Sequence, residues 1–284
     1  MNKKTIGNEP IYDARTLGAP RMLVLGFQHM FAMFGATVLV PTLTGLSVST
    51  TLLFAGLGTL LFHLLAKGKV PAFLGSSFAF LGGYAAIAPM LENPNSPGVF
   101  NVPNTELLPY ACFGVACAGL VYLVLSLLFK VFGVRKVMRF FPPIVTGPII
   151  IAIGLSLSSS AVNNCATSWP VALVAILVVI VCNIWGKGMI KIIPILLGVI
   201  ASYVVGALAG QVDFTAVREA PWLGFPVVWD ETVFSIFDGE FDSAMLLTAA
   251  ITIVPLSLAT VVEPIGYMCA ISSTRDRNYL QRPG

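Results

Sequence analysis

Long runs without a charged side chain limit most strongly what this chain can fold into. Neither residues 22–66 nor residues 140–186 contain an Asp, Glu, Lys or Arg, and each run is longer than the ~20 apolar residues that cross a bilayer. Only 10% of the chain is charged, whereas roughly 25% of an average soluble domain is charged. Because hydrocarbon offers the backbone no water to bond, apolar runs of this length form helices. We therefore predict an all-α polytopic membrane protein.

Charged or polar breaks separate eight predicted transmembrane helices, which we call spans 1–8. They cover residues 22–41, 49–66, 71–90, 108–129, 141–160, 169–186, 191–210 and 244–270. With the N-terminus inside, every Lys and Arg except Arg218 falls in a cytoplasmic segment, which is the distribution that the positive-inside rule describes. The sequence thus predicts a multi-pass protein of the cytoplasmic membrane. We interpret the basic residues as anchors near the inner leaflet rather than as a surface for nucleic acid.

The cysteines and the N-terminal segment indicate neither a metal nor a cleaved leader. The five cysteines lack the spacing of metal ligands, and in apolar runs Cys behaves as a small hydrophobic residue. We predict no metal or cofactor site. Residues 1–21 lack the apolar region of a signal peptide, so we interpret them as a cytoplasmic tail.

Span 3 contains a predicted break in its helix. Gly75, Ser76 and Ser77 follow a proline at position 71, and two further glycines occupy positions 82–83. Two interpretations remain open at this point. The small residues could allow close helix packing, or the segment could begin a half-helix whose N-terminal N–H groups face a substrate.

Span 1 carries two polar residues at membrane depth, Gln28 and His29. A lone histidine in an apolar helix is more often a satisfied hydrogen-bonding residue than a ligand, and a ligand role is the second interpretation.

Glu263 is the only Asp, Glu, Lys or Arg between Ser243 and Thr274. An acid at the centre of a membrane helix costs ~2.5–3.5 kcal/mol on insertion scales, so it is rare without a partner or a role. A protonated carboxyl in an interhelical hydrogen bond is one interpretation. We favour a carboxylate that binds a proton or a substrate. No nucleophile–base or metalloprotease motif accompanies it, so an enzyme is not indicated.

With these features together, the chain resembles the uracil/xanthine permease family, the nucleobase–ascorbate transporters that act as cation symporters. The resemblance covers nearly all of residues 20–284. Its most specific stretches are QHMFAMFGATVLVP (28–41), GKVPAFLGSSFAF (68–80), FPPIVTGPII (141–150) and VVEPIGYM (261–268).

The resemblance implies a fold of fourteen spans built as two inverted seven-span repeats. Here the first repeat and one further helix would be present, with a short strand leading into a half-helix in span 3. It also implies a homodimer formed through the gate domain. The implied parts are a cytoplasmic tail (1–21), core-domain spans 1–4 (22–130), gate-domain spans 5–7 (131–212), an extracytoplasmic loop (213–243), core-domain span 8 (244–270) and a cytoplasmic loop (271–284).

The resemblance also implies roles for individual residues. Glu263 matches the Glu that bonds the nucleobase and is tied to proton coupling. Phe78 matches an aromatic residue near the base, beside Ser76 and Ser77 at the half-helix, and Ala36 matches a small position against which the base lies flat. Gln28 and His29 match a polar pair in span 1 with a weaker link to the proton.

Two departures from the family pattern affect these expectations. Where the family shows Glu-His-x-Gly followed by His or Asp, this chain has Glu263, Pro264 and, one turn on, Tyr267. Tyr267 can bond a substrate but does not ionise near neutral pH. Spans 9–14, which include the second Glu of the family, do not follow span 8. The sequence therefore predicts a fragment.

The leading functional hypothesis is nucleobase:proton symport of the uracil or xanthine type. Sodium in place of the proton, and uric acid or ascorbate as the substrate, stay open. The alternatives are an anion transporter of the sulfate type with the same architecture and a membrane-embedded enzyme. The former predicts no Glu in span 8, and the latter needs a second catalytic group where only His29 is available.

Overall fold

A computed structural model describes residues 17–70, 72–94, 100–137, 139, 143–187, 189–212, 214–219, 224–238, 242–261 and 263. These residues are mainly helical and form two compact units. The first unit takes in the chain up to Gly35 together with Ser159–Gly224, and the second takes in Ala36–Ser158 together with the chain from Phe225 onward.

The helices follow one another closely along the chain. In order they are α1 (Ala19–Ala32), α2 (Phe34–Thr44), α3 (Val48–Leu65), α4 (Leu81–Ile87), α5 (Leu108–Phe132), α6 (Val134–Val137), α7 (Pro143–Ala166), α8 (Trp169–Trp185), α9 (Met189–Ile192), α10 (Pro194–Leu208), α11 (Thr215–Glu219) and α12 (Ser243–Ile253). Short 3₁₀-helices cover Phe78–Phe80, Trp229–Glu231, Val233–Asp238 and Val254–Leu256.

Two short strands depart from the all-α expectation. β1 (Leu91–Glu92) pairs antiparallel with β2 (Phe100–Val102) in the connection before α5. Polar and proline residues in that connection do not continue an apolar helix, so its backbone pairs locally instead. The ribbon is small and leaves the fold mainly helical.

Three helical segments in the described residues combine the length and the apolar composition that a bilayer crossing needs. They are Val48–Leu65, Leu108–Phe132 and Ser243–Val261, and they correspond to predicted spans 2, 4 and 8. Shorter apolar helices at Phe78–Ile87, Trp169–Trp185 and Pro194–Leu208 fall within spans 3, 6 and 7. The prediction of a helical, multi-pass membrane protein is confirmed. The total of eight spans and the inverted repeat stay predictions.

Span 1 was predicted as one helix, and this is wrong in detail. α1 ends at Ala32 and α2 begins at Phe34, with a turn at Met33. Gly35 is the second residue of α2, and a glycine inside a helix costs about 1 kcal/mol relative to alanine. The boundary between the two units also falls here, between Gly35 and Ala36.

Within the first unit, α8 and α10 pack closely through a glycine. A Cβ atom at Gly198 would lie 2.7 Å from Val179 Cγ2 and 3.1 Å from the backbone oxygen of Ala175. Small residues of this kind let membrane helices approach each other, since lipid gives them little hydrophobic reason to associate.

The second unit is built around α12, which packs against α4 and α5. A Cβ at Gly114 would lie 2.7 Å from Ile253 Cδ1, and a Cβ at Gly83 would lie 2.9 Å from Leu256 Cδ1. These two glycines therefore set how closely α12 approaches its neighbours. The buried side chains around them are Tyr84, Ile87, Ala88, Leu108, Ala111, Ala118, Ala249 and Ile253.

The connection before α12 is bonded to the first turn of α3. The Glu231 carboxylate accepts the backbone N–H of Ser47, the N-cap residue of α3. Thr50 Oγ1 donates to the backbone oxygen of Pro226 (3.0 Å) and accepts the N–H of Val228 (2.9 Å). A carboxylate at the N-terminus of α3 also interacts favourably with the positive end of the helix dipole.

The start of α5 lies at the same end of the second unit. Cys112 Sγ donates to the backbone oxygen of Glu231 at 3.5 Å. Gly45, with φ +81°, sits so close to Met90 and Pro103 that a Cβ there would be 3.0 Å from each. The segments before α3, before α5 and before α12 therefore meet at one end of this unit.

Candidate functional site

The predicted break in span 3 is present, and it produces a half-helix. Residues 72–77 form neither helix nor strand, and Ser77 has an extended backbone (φ −97°, ψ 131°). A 3₁₀ turn then begins at Phe78 and runs directly into α4. Ser77 Oγ accepts the N–H of Ala79 at 3.3 Å, which is the usual way a serine caps a helix start.

The short strand expected before this half-helix is not assigned in residues 72–77. A strand needs a neighbouring strand to bond its backbone, and in the described part of the chain none is paired with this segment. In the described residues this segment is irregular and does not belong to a sheet.

Glu263 lies against the start of the half-helix. Ser77 Oγ donates to Glu263 Oε2 at 2.9 Å, although the two residues are 186 positions apart. Both side chains are half-buried. The Ser77 hydroxyl thus accepts a hydrogen bond from the half-helix backbone and donates its own hydrogen to the Glu263 carboxyl. We call these two side chains the Ser77–Glu263 pair.

The segment that carries Glu263 is not a simple continuation of α12. The α-helix gives way to a 3₁₀ turn around Pro255, and the helix then resumes with Ser257. Two hydroxyls bond backbone oxygens one turn back: Ser257 Oγ to Val254 at 2.6 Å and Thr260 Oγ1 to Ser257 at 2.9 Å.

Two further hydroxyl groups lie in the same unit as the pair. Tyr122, in α5, donates its hydroxyl to Thr260 Oγ1 at 2.7 Å. Thr37, in α2, is 2% exposed, and a Cβ at Gly75 would lie 3.3 Å from its Oγ1. The irregular segment before the half-helix therefore packs beside α2.

The other predicted site residues lie in different parts of the structure. Phe78 and Ser76 are half-buried next to Ser77. Ala36 precedes Thr37 in α2, but nothing is described of its side chain. His29 is exposed on α1, in the first unit, and Gln28 precedes it in the same helix. Tyr267 and its neighbour at position 264 lie outside the described residues.

Tyr122, Thr260 and Thr37 were missed by the sequence analysis. The available signal was chemical, because hydroxyl groups at membrane depth must bond something other than water. Threonine and tyrosine are common enough in apolar helices that this signal alone does not say which of them meet.

The pair has the chemistry of a site that binds a neutral ligand through hydrogen bonds. A carboxylate offers about four lone-pair positions, so Glu263 can accept bonds from a ligand while it holds Ser77. The start of a half-helix offers backbone N–H donors. No cluster of three or more His, Cys, Asp or Glu side chains occurs in the described ranges.

Comparison with known proteins identifies the family of this chain. A family described as "Permease family" matches residues 20–284. The chain is 37% identical over 293 residues to the uracil permease of Bacillus caldolyticus, which covers 100% of this chain and 62% of that protein. It is 34% identical over 270 residues to the uracil permease of Bacillus subtilis, a match that covers 90% of this chain and 57% of that protein. It is 36% identical over 266 residues to a putative pyrimidine permease of Escherichia coli, a match that covers 90% of this chain and 55% of that protein. The chain thus spans about three fifths of the length of these relatives.

Proposed function

Since the chain belongs to the uracil/xanthine permease family, we propose that it functions in nucleobase:proton symport across the cytoplasmic membrane. The family and the names of these relatives point to a transporter and not to an enzyme. The observation that carries the proposal is the Ser77–Glu263 pair at the start of a half-helix.

The hydrogen-bonding pattern of a pyrimidine base suits this arrangement. Uracil presents ring N–H donors and carbonyl acceptors on neighbouring positions of one edge. Glu263 can accept a ring N–H, and backbone N–H groups at the start of the half-helix can donate to a carbonyl oxygen. Phe78, the first residue of the 3₁₀ turn, supplies an aromatic face for stacking.

Proton coupling rests on the same carboxyl group. Glu263 can be charged or can carry a proton, and only the protonated form offers an O–H donor beside an acceptor. A base edge that presents a carbonyl oxygen next to an N–H therefore distinguishes the two forms and favours the protonated one. Binding and protonation are coupled because each changes the free energy of the other.

The sulfate-type alternative fits this site less well. A doubly charged anion at the half-helix would lie close to the Glu263 carboxylate, and like charges at this depth repel strongly because the dielectric is low. A neutral base carries no such penalty.

Uptake measurements test the proposal directly. We expect the complete reading frame that encodes this chain, expressed in cells without uracil or xanthine uptake of their own, to give saturable uptake of labelled uracil or xanthine. A proton uncoupler should abolish accumulation, and replacement of sodium by choline should not. Sulfate uptake without nucleobase uptake would contradict the proposal and support the alternative.

Stacking on Phe78 leads to a second prediction. Phe78→Ala should weaken nucleobase affinity by roughly 1–3 kcal/mol, the scale of base–aromatic stacking, while Phe78→Tyr keeps the ring and should be much milder. Phe54→Ala is the matched control, because Phe54 is exposed on α3. Competition of unlabelled base against labelled uptake gives the affinities. Equal affinities for the Ala and Tyr variants would show that Phe78 only packs.

A further part of the proposal is that spans 5–7 form a gate. α8 and α10, which fall in spans 6 and 7, belong to the first unit, whereas spans 2, 3, 4 and 8 belong to the second. The two units do not divide the chain as the proposed core and gate do, because α1 of span 1 belongs to the first unit and most of span 5 belongs to the second. A homodimer through the gate would be seen as a cross-linked dimer of Ile184→Cys, since Ile184 is 63% exposed on α8. Absence of that dimer for cysteines along the exposed face of α8 would count against it.

Topology can be tested in intact cells. We propose that the N-terminus is inside, so Asp230 faces outward and Lys130 faces the cytoplasm; both side chains are exposed. Asp230→Cys should react with a membrane-impermeant maleimide before lysis, and Lys130→Cys only afterwards. The reverse pattern would invert the proposed orientation.

A further inference from the structure

A hydrogen bond joins Tyr122 in α5 to Thr260 in the segment before Glu263. Neither residue binds the substrate in the proposed function. The Tyr122 hydroxyl donates to Thr260 Oγ1 at 2.7 Å, and Thr260 Oγ1 donates in turn to the Ser257 backbone oxygen at 2.9 Å. Thr260 is 3% exposed and Ser257 is fully buried. The acceptor of the Tyr122 hydroxyl is thus buried and is itself bonded to the backbone of its own helix.

The position of this bond matters because α12 is interrupted before it. Pro255 has no N–H to donate, and the backbone from Val254 to Leu256 is 3₁₀ rather than α-helical. A proline interruption of this kind is where helices bend. The α-helical backbone hydrogen bonds of α12 therefore do not continue unbroken into the segment that contains Ser257–Val261 and Glu263. We infer that side-chain bonds to other helices set the orientation of this segment.

Two such bonds reach this segment in the described residues. One is the Ser77–Glu263 pair, and the other is Tyr122 to Thr260. Thr260 and Glu263 are three positions apart, so on a helix they lie on neighbouring parts of the same face. Rotation of the segment about its axis would move both side chains together.

We propose that Tyr122 and Thr260 are positioning residues that fix the rotation of this segment and so hold the Glu263 carboxyl at the start of the half-helix. This inference rests on the proposed function for its effect on transport, but not for its geometry. Tyr122 acts through Thr260 and is not itself assigned to the substrate.

Substitutions of Tyr122 and Thr260 test this role. Tyr122→Phe and Thr260→Val each remove the bond while keeping most of the side-chain shape, and Thr260→Ser keeps the hydroxyl. Tyr110→Phe is the matched control, because Tyr110 lies on the same helix and its hydroxyl accepts the N–H of Asp242 instead.

Transport gives the first measurement, in the complete reading frame. We expect Tyr122→Phe and Thr260→Val to raise KM for the nucleobase about three- to tenfold, the range for one lost hydrogen bond, and to shift the pH profile of uptake. The double variant should be no worse than Thr260→Val alone, since Thr260→Val already removes the bond that Tyr122→Phe removes. Thr260→Ser and Tyr110→Phe should retain the wild-type values. Wild-type KM and pH profile in both Tyr122→Phe and Thr260→Val, or effects that multiply in the double variant, would overturn the proposal.

A second measurement needs no transport, so it separates this inference from the proposed function. Ser77→Cys and Glu263→Cys are combined in a background with the five native cysteines replaced by alanine, and a short bifunctional thiol reagent joins them. Adding Tyr122→Phe should slow cross-linking about three- to tenfold, whereas Tyr110→Phe should not slow it. An unchanged rate with Tyr122→Phe would reject the positioning role. Failure of the wild-type protein to take up any nucleobase would reject only the proposed function.

Discussion

Glu263→Gln is expected to abolish concentrative nucleobase uptake while the protein still folds and enters the membrane. Glutamine has nearly the same shape, and its amide oxygen can accept the Ser77 hydroxyl that now bonds Glu263 Oε2 at 2.9 Å. The half-helix therefore keeps its partner. What glutamine lacks is ionisation, so it cannot pick up and release a proton during a transport cycle.

The accumulation ratio of labelled base, measured across a range of external pH, checks this prediction. The wild-type ratio should change with pH, and the variant should not exceed equilibration at any pH. Glu106→Gln is the matched control, because Glu106 is exposed in the turn before α5. A Gln variant that accumulates base like the wild type, with the same pH dependence, would return Glu263 to a purely structural role.

Gly114→Leu is expected to prevent normal packing of the second unit. A Cβ at this position would lie 2.7 Å from Ile253 Cδ1 and 2.8 Å from the backbone oxygen of Ala249, and the backbone oxygen cannot rotate away as a side chain can. Overpacking a well-filled interior costs about 1–3 kcal/mol, and here the whole of α12 would have to move. Since α12 leads to Glu263, transport should be lost together with stability.

Gly119→Leu provides the comparison, because Gly119 is on the same helix and a Cβ there would meet no atom within 4 Å. Thermal unfolding in detergent, followed by size-exclusion chromatography, should show a lowered midpoint or aggregated protein for Gly114→Leu alone. Gly114→Ala should fall between the two. Equal midpoints for both leucine variants would mean that α12 does not pack at this distance.

Hydropathy was sufficient to locate several helices. Spans 2, 4 and 8 coincide with α3, α5 and the segment from Ser243 to Val261, because crossing a bilayer is decided by length and composition. The break in span 3 was also predicted, since residues 75–77 cannot continue an apolar helix well, and the half-helix was one of the two interpretations that the sequence left open.

The contacts between helices could not be obtained in the same way. In a soluble protein the apolar stripe shows which side of a helix is buried, but α5 and α12 are apolar on every side. Their rotation is set by packing against neighbours. The Ser77–Glu263 and Tyr122–Thr260 bonds, which join residues 186 and 138 positions apart, therefore leave no periodic trace in the sequence.

The bond from Ser47 to Glu231, which links residues 184 positions apart, has a consequence for the order of assembly. Synthesis runs from the N-terminus, so α3, α4 and α5 are made first, and Ser159–Gly224 is made before Glu231 and α12 can arrive. During that interval Gly83 and Gly114 have no α12 against them, and the N–H of Ser47 has no carboxylate. Completion of this unit therefore waits on the synthesis of a segment that belongs to the other unit.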